Sequence, residues 1–239
     1  KKNLEKVINL KTIINLAAFT NVEKSELLNS KNYKVNLDGI KNLCKYLKNR
    51  NILFINISTD YVFDGNRKQP YREKDKTNPL NRYGAAKDKA EKHIRKSIKK
   101  YIILRSSWIF SKEKSSFFNF INNSRNRKLF LINDIHGNPT SARSLCLAII
   151  KVLKIYNNNR KLKYGIYHFC NYPKTNWLNF GKYYANFKGY DVSKISEIKS
   201  EDLKLKAVRP KNSSLSSQKF EKEFNFKRIY WKKEIKNFL

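Results

Sequence analysis

The chain has 239 residues, with 52 lysines and arginines against 19 acidic residues and a formal net charge of +33. Its length suits one large or two small domains with a buried core, and 40% hydrophobic residues exclude a disordered chain. No apolar run approaches the roughly 18 residues of a membrane span. Cys44, Cys146 and Cys170 are scattered, which excludes a disulfide framework or a zinc site and favours a cytoplasmic location.

The positive charge raises the alternative of a nucleic-acid-binding protein. The basic residues are spread along the whole chain, however, and lysines far outnumber arginines, whereas base-reading surfaces depend on arginine. We therefore interpret the charge as compositional drift and expect no specific nucleic-acid partner. A positive surface would still attract anionic nucleotides.

The first predicted strand runs from Thr12 to Ala17 and ends in the small residues Ala17 and Ala18. Small side chains at a strand end let a flat ligand approach the backbone, which suits the adenine-ribose side of a dinucleotide. Close packing of a helix on the strand explains them equally well. A loop over residues 20–25 and a helix over residues 33–47 follow, the helix being indicated by its apolar spacing.

The central stretch begins with the apolar run Ile52–Ile57, which is typical of a buried parallel strand. A helical pattern after Pro79 places Tyr83 and Lys87 four residues apart on one face. Between this strand and this helix, three small polar residues follow the end of the strand: Ser58, Thr59 and Asp60. The carboxyl ends of strands are where ligands bind in open α/β sheets.

The spacing of Tyr83 and Lys87 suggests acid-base chemistry. A tyrosine with a pKa near 10 is a slow acid-base group at neutral pH. A lysine ammonium one turn away favours the phenolate, as does a nearby helix N-terminus. We therefore predict that Lys87 lowers the pKa of Tyr83, which then exchanges a proton with a substrate oxygen that Thr59 also hydrogen-bonds. Taken alone, such a pair is more often a half-exposed tyrosine beside a solvated lysine, and the polar strand end upstream reverses that preference.

A second strand end is predicted beside the first. The strand at 101–104 is followed by Arg105, two serines and Trp108. Trp108 is either a core residue or a flat wall for a substrate, and its position favours substrate contact. Further along, Arg209 precedes Pro210 and is a candidate for gripping a diphosphate, with a plain surface arginine as the alternative.

These segments together resemble one family. STDYVFDG, from Ser58, and PLNRYGAAK, from Pro79, are similar to the extended short-chain dehydrogenase/reductases, and within them to the dTDP-4-dehydrorhamnose reductase family. The resemblance continues in order over nearly all of the chain, through INLAAFTNVEKSE, RSSW, GNPT and RPKNS.

The resemblance implies an α/β fold with a doubly wound, Rossmann-like parallel sheet and a small C-terminal substrate lobe. It implies a truncated dinucleotide-binding domain over 1–138 and the substrate lobe over 139–239, with a strand at 165–170 returning to the main sheet. The implied activity is NAD(P)H-dependent reduction of the C4 keto group of a dTDP-linked deoxysugar in dTDP-L-rhamnose biosynthesis. NADPH or NADH is the expected cofactor, Mg²⁺ and a homodimer are allowed, and no membrane association is expected.

The resemblance also assigns roles to residues, with Tyr83 as the proton donor. The catalytic residues are expected to be Thr59, Asp60, Tyr83 and Lys87. The cofactor is expected to contact Asn15, Ala17, Ala18, Phe19, Thr20, Ser58, Tyr83 and Lys87. The substrate is expected to contact Thr59, Asp60, Tyr61, Trp108 and Arg209.

The sequence departs from the family at its start. The family opens with a strand and a glycine-rich turn that holds the cofactor pyrophosphate, whereas this chain begins at Lys1 and has 7 scattered glycines and no methionine. We expect a front segment of roughly 30 residues or more to be missing, which would leave the first strand with an unpaired edge. The 239 residues alone are then expected to aggregate or to fail to bind cofactor, the activity belonging to a longer chain.

Two alternative functions stay open. A non-catalytic relative resembling the regulatory beta subunit of methionine adenosyltransferase would keep the fold without turnover, although intact Thr59, Tyr83 and Lys87 count against it. The other alternative is the basic nucleic-acid-binding protein, which diffuse lysine charge disfavours.

Overall fold

The structure, a computed structural model, describes residues 4, 7–112, 116–158 and 161–238. Its strands are β1 (Thr12–Asn15), β2 (Leu53–Thr59), β3 (Tyr101–Ser106), β4 (Ile109–Phe110), β5 (Leu129–Ile132), β6 (His136–Gly137), β7 (Thr140–Ser141), β8 (Gly165–His168), β9 (Thr175–Asn176) and β10 (Ile195–Ile198). Its helices are α1 (Val22–Leu27), α2 (Asn29–Tyr33), α3 (Gly39–Leu47), α4 (Arg82–Ser97), α5 (Ser116–Asn123), α6 (Ala142–Asn157), α7 (Trp177–Phe187), α8 (Gln218–Phe224) and α9 (Trp231–Phe238). A π-helical turn, Lys34–Asp38, joins α2 to α3, and a 3₁₀ turn, Asp60–Val62, follows β2.

The central sheet has four parallel strands in the order β1-β2-β3-β8. The predicted α/β fold with a parallel sheet is therefore confirmed. Ser58 pairs with Arg105 and Thr59 with Ser106, so the polar ends of β2 and β3 lie side by side. The strand predicted at 165–170 enters this sheet beside β3.

Helices cover both faces of the sheet, which explains why β2 and β3 are apolar almost throughout. Leu53 and Ile55 on one face pack against α6 and α8. Phe54 and Ile103 on the other face pack against α3 and α4. No helix in the described ranges has the length and apolar character that a membrane span requires.

A second core lies beside the sheet and is built mainly from α5, α7, α9 and the paired strands β5 and β10. Its aromatic rings are in close contact: Phe118 stacks on Tyr184 with centroids 3.9 Å apart, and Phe180 meets Trp231 edge-on at 5.3 Å. The two cores draw on elements from both sides of residue 138, and the predicted domain boundary there stays a prediction.

Two contacts of Gly84 fix the start of α4. The Asn81 side chain caps the helix by accepting a hydrogen bond from the Gly84 backbone at 2.8 Å. Gly84 in turn packs so closely on the 3₁₀ turn that a Cβ there would overlap the carbonyl oxygen of Tyr61. The absence of a side chain at Gly84 therefore lets α4, which carries Tyr83, pack closely against the 3₁₀ turn.

We expect Gly84→Ala to destabilise the protein by about 1 to 3 kcal/mol, because the new methyl group forces α4 away from the turn. Gly39→Ala is the matched control: the nearest atom to a Cβ at this helical position lies 3.8 Å away. There the change should stabilise by about 0.5 to 1 kcal/mol through helix propensity. Urea titrations of both variants measure the difference, and equal effects would contradict the close packing.

Candidate active site

A cleft of about 590 Å³ opens where β2 and β3 end. The sequence-predicted site residues that line it are Ala18, Thr20, Ser58, Thr59, Asp60, Tyr61, Tyr83, Lys87, Trp108 and Arg209. These residues come from β2, α4, the segment after β3 and the C-terminal part of the chain, so only the fold brings them together.

Three residues predicted to contact a cofactor do not line the cleft. The Asn15 side-chain amide donates to Asn56 Oδ1 at 2.8 Å, which fastens the end of β1 to β2. The backbone of Phe19 is held by the Asn36 amide through two bonds of 3.0 Å. Ala17 is exposed nearby. These interactions hold the loop after β1 in place, and cofactor contact by the three residues stays a prediction.

Tyr83 presents a protonated phenol to the cleft. Burial raises the pKa of Tyr83 to about 12; a hydrogen bond with Thr59 opposes this rise and the charge of Asp60 adds to it. The predicted lowering of this pKa by Lys87 is therefore wrong. Loss of water around the phenol is the largest effect, and the Lys87 ammonium donates instead to the Ile57 carbonyl at 2.7 Å. A neutral phenol is the form that can give a proton to a substrate.

Lys87 is almost fully buried, with 3% of its surface exposed. Burial lowers the pKa of Lys87 to about 8, and the charge of Glu91 opposes that fall. The bond to Ile57 uses one of the three N–H donors of the ammonium. Lys87 is therefore a charged donor at neutral pH that titrates just above it.

Asp60 is a buried acid at the centre of the site. Its carboxylate accepts hydrogen bonds from Thr59 Oγ1 at 3.1 Å and from the hydroxyl of Ser213. Burial nevertheless raises the pKa of Asp60 to about 7, because these bonds only partly replace water. The bond to Ser213 also ties the end of β2 to the C-terminal segment that carries Arg209.

An aromatic wall closes the cleft on the side of β3. Trp108 stacks on Trp177, with centroids 3.8 Å apart and planes 14° from parallel. Gly137 lies against Trp108, and a Cβ there would come within 2.6 Å of the indole ring. Among the described residues, the buried Trp108 Nε1 and Ser106 Oγ have no hydrogen-bond partner. Both atoms belong to residues that line the cleft and are suited to a polar ligand.

Sequence reasoning missed several lining residues, namely Leu16, Val22, Ile57, Ser106, Ile109, Ser116 and Trp177. Ser106 could have been predicted from the sequence, because it is one of the two serines that follow the predicted strand at 101–104. Trp177 carried none, since it begins a helix far along the chain and reaches the cleft only by stacking on Trp108.

Arg209 reaches the cleft from the C-terminal segment. Its Nη1 lies 2.7 Å from Glu23 Oε1 on α1 and donates to the Ala207 carbonyl at 3.2 Å. A further hydrogen bond joins Arg209 to the Tyr61 side chain. The Glu23 carboxylate also accepts from the Lys206 backbone at 3.0 Å. Arg209 therefore links α1, the turn after β2 and the C-terminal segment.

The charged residues give no sign of a metal centre. In the part of the chain that the structure describes, no cluster of three or more His, Cys, Asp or Glu side chains could hold a metal ion. The Mg²⁺ that the resemblance allows has no support here.

Comparison with known proteins places this arrangement in a family. The model of the RmlD substrate binding domain matches residues 2–239. A dTDP-4-dehydrorhamnose reductase of Aggregatibacter actinomycetemcomitans is 32% identical over 232 residues, which cover 94% of this chain and 79% of the relative. This chain belongs to the dTDP-4-dehydrorhamnose reductase family.

Solved structures of dTDP-4-dehydrorhamnose reductases have the same fold. The enzyme of Clostridium acetobutylicum superposes with a TM-score of 0.88 at 31% identity, and 95% of this chain covers 79% of that one. A structure from Bacillus anthracis str. Ames, in complex with NADP, has a TM-score of 0.86 at 27% identity, with the same coverage of 95% and 79%. The structural similarity therefore extends over 95% of the present chain.

The buried Asp60 makes a prediction about stability and pH. A folded-state pKa of about 7 lies above the usual value of 3.8, so the folded chain holds this proton more tightly than the unfolded chain. Its stabilisation is complete below about pH 4 and is lost as the pH rises towards 7. Asp60→Asn should remove a decline of about 3 kcal/mol in the free energy of unfolding between these limits. Urea titrations from pH 4 to 8 measure it, and parallel pH profiles of variant and wild type would contradict a raised pKa.

Proposed function

We propose that this chain carries the catalytic residues with which a dTDP-4-dehydrorhamnose reductase reduces the C4 ketone of a dTDP-linked 4-keto-deoxysugar with NADPH. The observation that carries the proposal is the convergence of Thr59, Tyr83 and Lys87 on one cleft at the carboxyl edge of the parallel sheet. Family membership supports the substrate class, because the curated relatives carry this activity in their names. The cleft keeps each residue that such a reduction requires, so nothing in it favours the non-catalytic alternative.

We infer that the cofactor is NADPH. The B. anthracis relative was solved with NADP. In this chain, small residues after β1 and the buried ammonium of Lys87 line the cleft where a nicotinamide ribose would lie, and Ser106 Oγ has no hydrogen-bond partner among the described residues. The cofactor supplies the hydride when bound, and the protein supplies position and charge.

The residues of the cleft supply the proton and position the substrate and the cofactor. Tyr83 donates its phenolic proton to the C4 oxygen as charge develops there. The Thr59 hydroxyl hydrogen-bonds the same oxygen. Lys87 brings a positive charge to the cleft and holds a ribose hydroxyl. Because Thr59 has one hydroxyl hydrogen, the 3.1 Å bond that it donates to Asp60 is exchanged for the bond to the C4 oxygen when substrate binds.

Substrate recognition is assigned to the walls of the cleft. The stacked Trp108 and Trp177 offer a flat surface for the sugar nucleotide, and the Trp108 N–H offers a hydrogen bond. We assign the diphosphate to Arg209, whose guanidinium lies 2.7 Å from the Glu23 carboxylate. A net charge of +33 attracts the anionic substrate from a distance. The three free cysteines suit a cytoplasmic enzyme.

Tyr83→Phe removes the proton donor and should lower kcat by about 100- to 10,000-fold. NADPH affinity, measured by fluorescence quenching, should stay within a few-fold because the ring remains. Tyr156→Phe, on α6 against the sheet core, is the matched control and should turn over normally. Wild-type activity in the Tyr83→Phe variant would rule out the proposed proton donor.

Arg209→Gln should raise KM for the dTDP-sugar roughly 10- to 100-fold, because a charged hydrogen bond to the diphosphate is lost. The control is Arg228→Gln, which breaks an exposed ion pair with Glu221 outside the cleft. Steady-state kinetics at saturating NADPH separate KM from kcat. An unchanged KM would show that Arg209 only ties α1 to the C-terminal segment.

A further inference from the structure

A buried ion pair lies directly behind the catalytic lysine. Glu91 sits one helical turn after Lys87 on α4, and both Glu91 and Arg105 are almost fully enclosed, with 2% and 3% exposure. Arg105 Nε lies 3.1 Å from each carboxylate oxygen of Glu91, and Nη2 lies 2.6 Å from Oε2. The hydroxyl of Ser58 also donates to Oε1. The Glu91 carboxylate is therefore held from two strands, by Ser58 of β2 and Arg105 of β3.

The far side of Arg105 is fixed as firmly. Its Nη1 lies 3.3 Å from His168 Nε2, and His168 Nδ1 lies 3.1 Å from the Tyr71 carbonyl oxygen. Since a carbonyl only accepts, Nδ1 carries the hydrogen and Nε2 accepts from Arg105. Burial and the charge of Arg105 hold the pKa of His168 well below its usual range. The His168 imidazole is therefore neutral. The guanidinium carbon of Arg105 also lies 5.0 Å from the centre of the Phe63 ring.

The pair is connected to the reacting groups by short links. Ser58, which donates to Glu91, lies between Ile57 and Thr59. The Ile57 carbonyl accepts from Lys87, and Thr59 hydrogen-bonds Tyr83. Anything that shifts Glu91 therefore shifts the end of β2 against α4, where all three proposed catalytic groups meet.

We propose that Glu91, clamped by Arg105, is a positioning residue that keeps Lys87 charged and directed at the catalytic cleft. The inference rests on the proposed reductase function. Because Arg105 occupies both carboxylate oxygens, Glu91 supports the charge of Lys87 without drawing its ammonium away from the Ile57 carbonyl. Neither Glu91 nor Arg105 has a role in the proposed catalytic steps.

The charged groups around Lys87 single out Glu91. Tyr83 shares its helix, Asp60 faces the cleft from the 3₁₀ turn, and Arg209 faces it from the C-terminal segment. Glu91 is the residue whose charge opposes the effect of burial on the Lys87 pKa.

The direct test is titration of Lys87 by NMR in the purified protein with ¹³C-labelled lysine, the signal being assigned from its loss in Lys87→Arg. Glu91→Gln should lower the titration midpoint of Lys87 by about one pH unit or more from its value of about 8. The matched control is Asp88→Asn, which removes the same charge from the residue directly after Lys87 on α4, where Asp88 pairs with Lys92 at 2.5 Å. It should leave the midpoint unchanged.

Kinetics supply the second readout. With a midpoint near 7, the charged fraction of Lys87 at pH 8 falls about fivefold. The alkaline limb of the kcat profile of Glu91→Gln should therefore move down by about one pH unit, with KM for the sugar nucleotide nearly unchanged. A purely structural role would lower the melting temperature without moving this limb.

The outcomes separate the inference from the proposed function. An unshifted Lys87 midpoint in Glu91→Gln overturns the inference whether or not the wild type reduces the sugar. An inactive wild type overturns the proposed function alone, since the titration needs no turnover. If Glu91→Gln does not fold because Arg105 is left unpaired, the double variant E91Q/R105Q removes both charges. It should lower the Lys87 midpoint in the same direction, and an unchanged midpoint there overturns the inference equally.

Discussion

The seating of α4 on the carboxyl end of β2 is the constraint on which the site depends. Lys87 donates to the Ile57 carbonyl at 2.7 Å, and one turn later Glu91 accepts from Ser58. At the start of the helix, Gly84 lets the backbone approach the Tyr61 carbonyl. Three successive turns of the helix thus contact β2 or the 3₁₀ turn that follows it. The proposed catalytic side chains are therefore held by packing of the helix against the sheet.

Removal of water sets the electrostatics of the cleft. Burial raises the pKa of Tyr83 to about 12 and that of Asp60 to about 7, and it lowers that of Lys87 to about 8. All three shifts favour the neutral form, as expected when desolvation outweighs local hydrogen bonds. A protonated phenol suits reduction of a ketone, in which the new alkoxide must receive a proton. The same residues can thus serve the reaction even though the expected lowering of the tyrosine pKa does not occur.

The sequence allowed the parallel sheet and the polar strand ends to be predicted, because both produce local patterns. Ile52–Ile57 is apolar throughout, and Ser58, Thr59 and Asp60 follow at once. The helix carrying Tyr83 and Lys87 was recognisable from a four-residue spacing. Trp177, the Glu23–Arg209 contact and the Glu91–Arg105 pair were not, since each joins residues far apart in sequence or lacks a periodic signal. The sign of the Tyr83 shift depends on burial depth, which no local pattern reveals.

The central claim is that this cleft directs hydride to C4 of a dTDP-linked ketone while Tyr83 returns the proton to its oxygen. The most direct measurement is turnover with NADPH deuterated at the transferring position of the nicotinamide, followed by NMR of the sugar product. We expect deuterium at C4 of the product in an amount equal to the NADPH oxidised. Oxidation of NADPH without deuterium at C4, or no reaction of the wild type with any dTDP-linked 4-keto-sugar, would contradict it.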